Sequence, residues 1–485
     1  MTKAQVQRLF LLVVVLIGLW GVLIIRLDAR WYGVQEAPRV WVAAGVRNYD
    51  LYGLDTTGLM VIRNADPATP DTFEYYTHHP PLIIWLPALV TRFTGYNELG
   101  VRYGFAVATL LSGVALYLFV RRLFTEKVAL WSTFLYALTP MIAYYGRVPG
   151  HDQIGMFIIL LFGAIMVNWL KQPTRHRLIA LMFLTICAVW TAWTAVFFVG
   201  CLGLGAMWLG NRAQKISVIG LGVLSIVAFL MLMIFYQLQW DGSIDSILDA
   251  FVWRSSNAID DPGTASFTVF EFIFTTLVHS VILGTVGLFL MAVIGAPMLY
   301  RNSTQTAKVM LVALFMGFLS YQLVFRNASF VHDYYKITLM PALAVLGAGC
   351  VVYGWQSSRR QIIRPLIVSF VVMAIVHSAG LLYFLHRTGN RPWLDDAISA
   401  VNDLPENENI QLMTHLTGKD NLMPLRFYTY RAVDEGIPFG EAQERAQNGE
   451  SVVYIACPEQ DETFVPVTDD YELIEAGECQ LYRLN

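Results

Sequence analysis

The sequence is short of charge. Asp, Glu, Lys and Arg supply 14% of its 485 residues, while 56% are hydrophobic. Soluble domains run to roughly a quarter charged, so the deficit excludes an ordinary soluble protein. Neither sign dominates: 33 Lys and Arg stand against 36 Asp and Glu, which leaves no basic excess for a nucleic-acid partner. Cysteine is scarce too, five in all, and without metal-type spacing. Cys187, Cys201 and Cys350 fall in apolar runs and are expected to pack there. Cys457 and Cys479 lie in a polar tail, where a disulfide and two free thiols are both open outcomes. There is no P-loop or Rossmann glycine fingerprint, no solenoid-type repeat and no low-complexity segment. No small-residue cleavage site follows the first apolar run, Leu9 to Ile25, which is therefore expected to stay as a first helix.

What the sequence does have is apolar runs of membrane-spanning length, about 17–25 residues. They lie near 9–27, 100–120, 128–145, 153–170, 177–193, 194–210, 216–236, 277–299, 307–325, 334–356 and 362–385. The fold expected is a polytopic all-α membrane domain of about eleven helices over residues 1–387. A small α/β domain over 388–485 follows it. Residues 177–210 form one run broken only around Thr191-Ala192-Trp193-Thr194, the least firm part of the count. Basic residues sit in every second connection: Lys3 and Arg8; Arg121, Arg122 and Lys127; Lys171, Arg175 and Arg177; Arg212 and Lys215; Arg301 and Lys308; Arg359, Arg360 and Arg364. The positive-inside rule makes these cytoplasmic, together with the N-terminus. The first loop (28–99), the connections 146–152, 237–276 and 326–333, and the tail then face outward.

In the first loop, Val34, Ala37, Trp41 and Ala44 recur at helical spacing, the pattern of an interfacial helix. Pro80 and Pro81 suit the start of a second one carrying Leu82, Trp85, Leu89 and Phe93. A similar helix is expected around Ile247, Phe251 and Val252, beside Asp249 and Arg254. In the tail, 394–404 and 440–446 read as helices, and 410–414, 427–430, 452–456 and 480–484 as strands.

With that topology the unusual polar residues gather on the outward side: Glu36, His78 and His79; Arg102; Arg147, His151 and Asp152; Arg326, His332, Asp333, Tyr334, Tyr335 and Lys336. Ionisable groups at a membrane boundary are functional candidates. Each has a plainer reading. Glu36 is at home as a solvated residue on an interfacial helix, and the histidines as holders of a helix start. Asp152 is a favoured N-cap, Tyr334 and Tyr335 are belt aromatics, and Arg102 and Lys336 are snorkelling anchors. His151, Asp152, His332 and Asp333 are credible ligands for a divalent metal, but nothing in their spacing demands one and no cofactor is expected.

The order of motifs decides between these readings. An early acid in Glu36-Ala37-Pro38-Arg39 is followed by His79-Pro80-Pro81-Leu82 and Glu98-Leu99-Gly100-Val101-Arg102. Asp152 and then His332-Asp333-Tyr334-Tyr335 complete the set. Over roughly the first 390 residues the chain resembles the polyprenyl-phosphate-sugar-dependent glycosyltransferases of the GT-C superfamily. The nearest groups are the dolichyl-phosphate-mannose protein mannosyltransferases and the lipid A aminoarabinose transferases. Those families carry an Asp-Glu-Pro-Arg-like string; here glutamate replaces the aspartate, the neighbouring acid is missing, and Asp28 is a rival. The resemblance implies a lipid-phosphate sugar as donor and a lipid, glycan or protein hydroxyl as acceptor. It implies Glu36 as general base and Asp152 as a second catalytic acid. Phosphate contacts fall to Arg102, Arg326 and Lys336, with His79, His151, His332, Asp333 and Tyr335 lining the substrate site. Two other readings stand beside it, a transporter or flippase of lipid-linked sugars and an inactive scaffold of the same fold. Transporters favour midplane sites in repeated halves, and no two halves here look alike.

The orientation makes a direct expectation. On intact cells a membrane-impermeant maleimide should label a Thr388→Cys variant and leave Gln172→Cys untouched until the membrane is opened.

Overall fold

A computed structural model of the protein describes residues 3–256, 266–357, 360–389, 391–405, 410–416, 419–457, 471–476 and 479–484. In chain order the helices are α1 (Lys3–Leu23), α2 (Val40–Thr57), α3 (Leu82–Thr94), α4 (Glu98–Leu123), α5 (Glu126–Ala137) and α6 (Pro140–Ala143). Next come α7 (His151–Lys171), α8 (Arg175–Thr191), α9 (Trp193–Leu209), α10 (Arg212–Gln239), α11 (Ser243–Ser255), α12 (Val269–Gly284) and α13 (Val286–Arg301). The last are α14 (Gln305–Val324), α15 (Arg326–Val331), α16 (Met340–Trp355), α17 (Arg360–Arg387), α18 (Pro392–Asn402), α19 (Lys419–Thr429) and α20 (Phe439–Gln447). They belong to two compact units. One is Met1–Leu27 with Tyr76–Tyr383; the other is Asp28–Tyr75 with Phe384–Asn485.

The first unit is a multi-pass membrane bundle. Among the described residues, seven helices are long and apolar enough to cross a bilayer, or eight if the bent pair α12–α13 counts as one. The count of eleven is not reached on that measure. The run at 128–145 divides into α5, of 12 residues, and the four-residue α6, while α8 and α9 have 17 each. α8 and α9 part where expected, at Ala192, whose backbone is extended (φ −158°, ψ 133°). The run at 277–299 differs from the single span expected. Thr285 holds φ +78° between α12 and α13, which meet at 107°. Its hydroxyl caps the new helix by accepting from the Leu288 N–H, one answer to the orphan donors a break creates.

Close packing in this bundle rests on small residues, the usual means where lipid competes with protein for apolar surface. Helix α13 lies so near α16 that a Cβ on Gly295 would sit 1.9 Å from the Leu346 carbonyl oxygen. At the N-terminal end of α5, Arg8 of α1 pairs with Glu126 at 2.5 Å. That contact, above all, holds the Glu126 carboxyl below its usual range.

The second unit is discontinuous. Its sheet runs β2 (Val433–Asp434), β1 (Gln411–Thr414), β3 (Val452–Ala456), β5 (Cys479–Leu484), β4 (Glu472–Ala476). The β2–β1 and β1–β3 pairings are parallel, and the β3–β5 and β5–β4 pairings are antiparallel. Strand β3 is buried along its whole length (Val452 to Ala456), as a central strand covered on both faces requires. Residues 28–75, read from sequence as part of the first loop, lie in this unit. Helix α2 buries Val42, Ala43, Val46 and Tyr49 and kinks at Gly53, whose φ of +79° suits glycine.

One expected element is corrected. Residues 427–430 do not form a strand: Phe427, Tyr428 and Thr429 end α19 and Tyr430 turns left-handed (φ +49°). Their aromatic and β-branched character favours strand, but Leu422, Leu425 and Thr429 share a helical face that is buried, and packing overrides local preference. The short β2 and the edge strand β4 went unread.

Cys457 and Cys479 form a disulfide across a separation of 22 residues. Mass spectrometry of the unreduced chain should show the linked peptides. Replacing both with serine should lower the unfolding free energy by roughly 3 kcal/mol, the loop-closure value for such a span, read as a lower melting temperature in detergent.

Candidate functional site

In the membrane unit, His78 and His79 meet at one buried cation, Arg254. Helix α11 places Arg254 at its last turn, on the same face as Ile247, Ala250 and Phe251, and the residue is 6% exposed. Its Nη1 donates to the His78 carbonyl at 2.8 Å and its Nη2 lies 2.9 Å from His79 Nε2. A guanidinium can only donate, so His79 accepts through Nε2 and carries its proton on Nδ1. Among the described residues no carboxylate is within ion-pair reach of Arg254.

The segment carrying those two histidines is held from several helices. Trp193 Nε1 donates to the His78 carbonyl (2.9 Å) and the Tyr236 hydroxyl to the His79 carbonyl (2.9 Å). Pro81 then starts α3, whose entry fixes where the His79 ring points. That ring stacks on His151 with centroids 3.7 Å apart and planes at 21°. His151 Nε2 lies 3.3 Å from Asp152 Oδ1. Both residues occupy the first turn of α7 and are buried, so Asp152 is at once a helix-start acid and part of this group.

A second layer comes from residues 326–339. His151 faces the Tyr335 ring at 5.8 Å, and His332 lies 5.8 Å from the same ring and 6.2 Å from Trp253. Tyr335 packs with Tyr321, Phe325 and Ala328 in an aromatic cluster. The Tyr145 hydroxyl donates to Asp333 Oδ2 at 2.7 Å. Lys336, fully buried, donates from Nζ to the carbonyls of Ser329 and His332. It too is held by neutral acceptors.

The structure thus links His79, His151, Asp152, His332, Asp333, Tyr335 and Lys336 by a chain of contacts. Arg326 lies exposed beyond the end of α11, its Nε donating to the Ser255 carbonyl (2.9 Å). Arg102 is buried in α4 and donates to the Leu27 carbonyl at 3.0 Å. Glu36 belongs to the other unit, 2% exposed, directly after Gln35, whose φ is +61°. Among the described residues no group of three or more His, Cys, Asp or Glu is placed to hold a metal ion.

Next to Arg254 opens a cavity of about 540 Å³. Its walls are Val189, Trp193, Val196 and Phe197 from α8 and α9, Ile226 and Phe229 from α10, and Ile247, Leu248 and Phe251 from α11. The charged or titratable members of the lining are Arg254 and His78. An apolar chamber ending on a fixed cation matches a ligand with a hydrocarbon body and an anionic head. The sequence reading missed Arg254, placing it on an interfacial helix. The available signal was its register: residues 247, 251 and 254 follow i, i+4, i+7, so the charge lies on the apolar stripe.

The family model described as dolichyl-phosphate-mannose-protein mannosyltransferase matches residues 78–240, about a third of the chain. No curated protein matches the sequence. Among solved structures, ArnT from Cupriavidus metallidurans in the apo state is 15% identical with a TM-score of 0.67, covering 99% of this chain and 98% of that one. The same protein bound to undecaprenyl phosphate is 14% identical with a TM-score of 0.65, covering 98% and 97%. The archaeal oligosaccharyltransferase AglB from Archaeoglobus fulgidus, in complex with an inhibitory peptide and a dolichol-phosphate, is 11% identical with a TM-score of 0.56, covering 94% and 70%. The chain has the GT-C superfamily fold, as its ordered motifs led us to expect.

Removing the support behind His79 should be measurable. Tyr236→Phe strips a hydrogen bond from a buried carbonyl, a loss of about 1–3 kcal/mol, and should lower the melting temperature in detergent.

Proposed function

We propose that this GT-C-fold protein is a membrane glycosyltransferase. It moves a sugar from a polyprenyl-phosphate donor to an acceptor hydroxyl on the extracytoplasmic side, by one inverting displacement. The observation that carries this reading is Arg254: a buried cation with neutral protein partners in the lining of an apolar cavity. Burying a charge costs several kcal/mol unless a counter-ion compensates, and a lipid phosphate supplies the missing anion while its isoprenoid chain fills the cavity. The shared fold with a protein captured with undecaprenyl phosphate points the same way.

In the reaction the acceptor oxygen forms a bond to the anomeric carbon as its proton passes to a carboxylate. The bond from that carbon to the phosphate oxygen breaks, and the electron pair leaves with the phosphate. Charge grows on the leaving phosphate, so fixed cations stabilise the transition state more than the ground state. Arg254 is the first of these, with Lys336, Arg102 and Arg326 as further phosphate contacts. His79 holds Arg254 in place, and His151, His332, Asp333 and Tyr335 shape the surroundings of the head group. Asp152 orients the acceptor. Glu36 is assigned as the base on its place in the Glu36-Ala37-Pro38-Arg39 string and on its burial. The acceptor is a lipid, glycan or protein hydroxyl.

Transfer from a radiolabelled lipid-phosphate sugar in liposomes tests this. Arg254→Met should lower transfer by roughly 10–100-fold, the value of one or two hydrogen bonds to a charged group. Arg254→Lys should fall between, since an ammonium lacks the guanidinium fork. Wild-type rates in Arg254→Met would remove the reading's support.

A further inference from the structure

The segment bearing Glu36 is fastened to the end of the chain within the second unit. The Trp31 N–H donates to the Tyr428 hydroxyl at 3.0 Å, across 397 residues of sequence. The Tyr32 hydroxyl donates to Asp395 Oδ1 at 2.8 Å. Arg30 pairs with the same carboxylate at 2.7 Å and lies over the Tyr428 ring at 5.1 Å. Tyr32 is buried in the core formed by Trp393, Leu394, Leu425 and their neighbours. Burial pushes its phenol above the ordinary range, so it keeps the proton it donates. Just beyond, a Cβ on Gly389 would sit 2.9 Å from Gly33 Cα, so the two backbones touch.

From this anchor the chain turns tightly. The Glu36 N–H donates to the Gly33 carbonyl and the Arg39 N–H to the Glu36 carbonyl, both at 2.9 Å. Gln35 takes a left-handed conformation, which a non-glycine residue holds only where its surroundings impose it. A carboxylate five residues from the anchor therefore has little backbone freedom.

We infer that Tyr428 and Asp395 are positioning residues, which fix the segment 31–39 so that the Glu36 carboxylate is held in one orientation. The inference rests on the assignment of Glu36 as base. It gives the C-terminal segment a role that its own sequence, without evident chemistry, does not announce. Orientation of a reacting group is worth large factors in rate, so loosening the anchor acts on turnover rather than on donor affinity.

The full-length protein in detergent or liposomes is the object of the test. Tyr428→Phe keeps the ring and removes the acceptor; Asp395→Ala removes the other anchor, and Asp395→Asn retains an oxygen that can accept from Tyr32. Hydrogen–deuterium exchange of the amides of residues 31–39 should speed up by about 10-fold or more in Tyr428→Phe and Asp395→Ala. In the same variants kcat for sugar transfer should fall by about 10-fold with the donor KM unchanged, and Asp395→Asn should restore most of it. Unchanged exchange in both variants overturns the inference, and so does faster exchange with wild-type kcat. The function reading is judged separately on Arg254→Met, in which the amides of 31–39 should remain protected.

Discussion

Arg254 carries a full charge where it has little access to water, and its two protein partners are the carbonyl of His78 and the ring of His79. Such a group is costly to bury, and neutral acceptors recover only part of what water gave. The arrangement persists because much else over-determines it. Trp193 and Tyr236 pin the carbonyls of the two histidines, Pro81 opens the next helix, and the stack of His79 on His151 sets the ring plane. Asp152 is close enough to join the group through His151. Each of these contacts fixes the groups that hold the Arg254 guanidinium.

Lys336 repeats the principle one layer away, its ammonium turned onto backbone carbonyls. Among the described residues, both cations have hydrogen-bond acceptors and neither has a carboxylate within ion-pair reach. In the transfer proposed above, such cations are oriented before charge develops on the leaving phosphate, which is electrostatic preorganisation. The aromatic cluster of Tyr321, Phe325 and Tyr335 behind them lowers the local dielectric, which strengthens whatever electrostatic contact the cations make.

The membrane part of the fold was legible in the sequence because hydrocarbon imposes a length and a composition that few other environments do. The break at Ala192 could be read, whereas the turn at Thr285 could not, since a lone threonine with positive φ leaves no local mark. The second unit was harder. Residues 427–430 carry strand chemistry but end a helix, and residues 28–75 fold with a partner more than three hundred residues away in sequence, which no local pattern reports. Of the site, the His79, Asp152 and His332–Lys336 groups were visible as polar residues bounding apolar runs. Arg254 was hidden by its plausible place on an amphipathic helix, and only its register on the apolar stripe set it apart. The placing of Glu36 as base is a matter of sequence order and burial, and stands as a proposal.

The second unit is made of two stretches separated by nearly the entire membrane bundle. The stretch Asp28–Tyr75 leaves the ribosome before residues 76–383, and Phe384 onward leaves after them. At ~5–20 residues per second the early stretch waits for tens of seconds with Tyr32 lacking the core it later joins. A nascent chain of this design is exposed to chaperones and proteases throughout that interval. Folding of the second unit therefore has to wait for its C-terminal stretch.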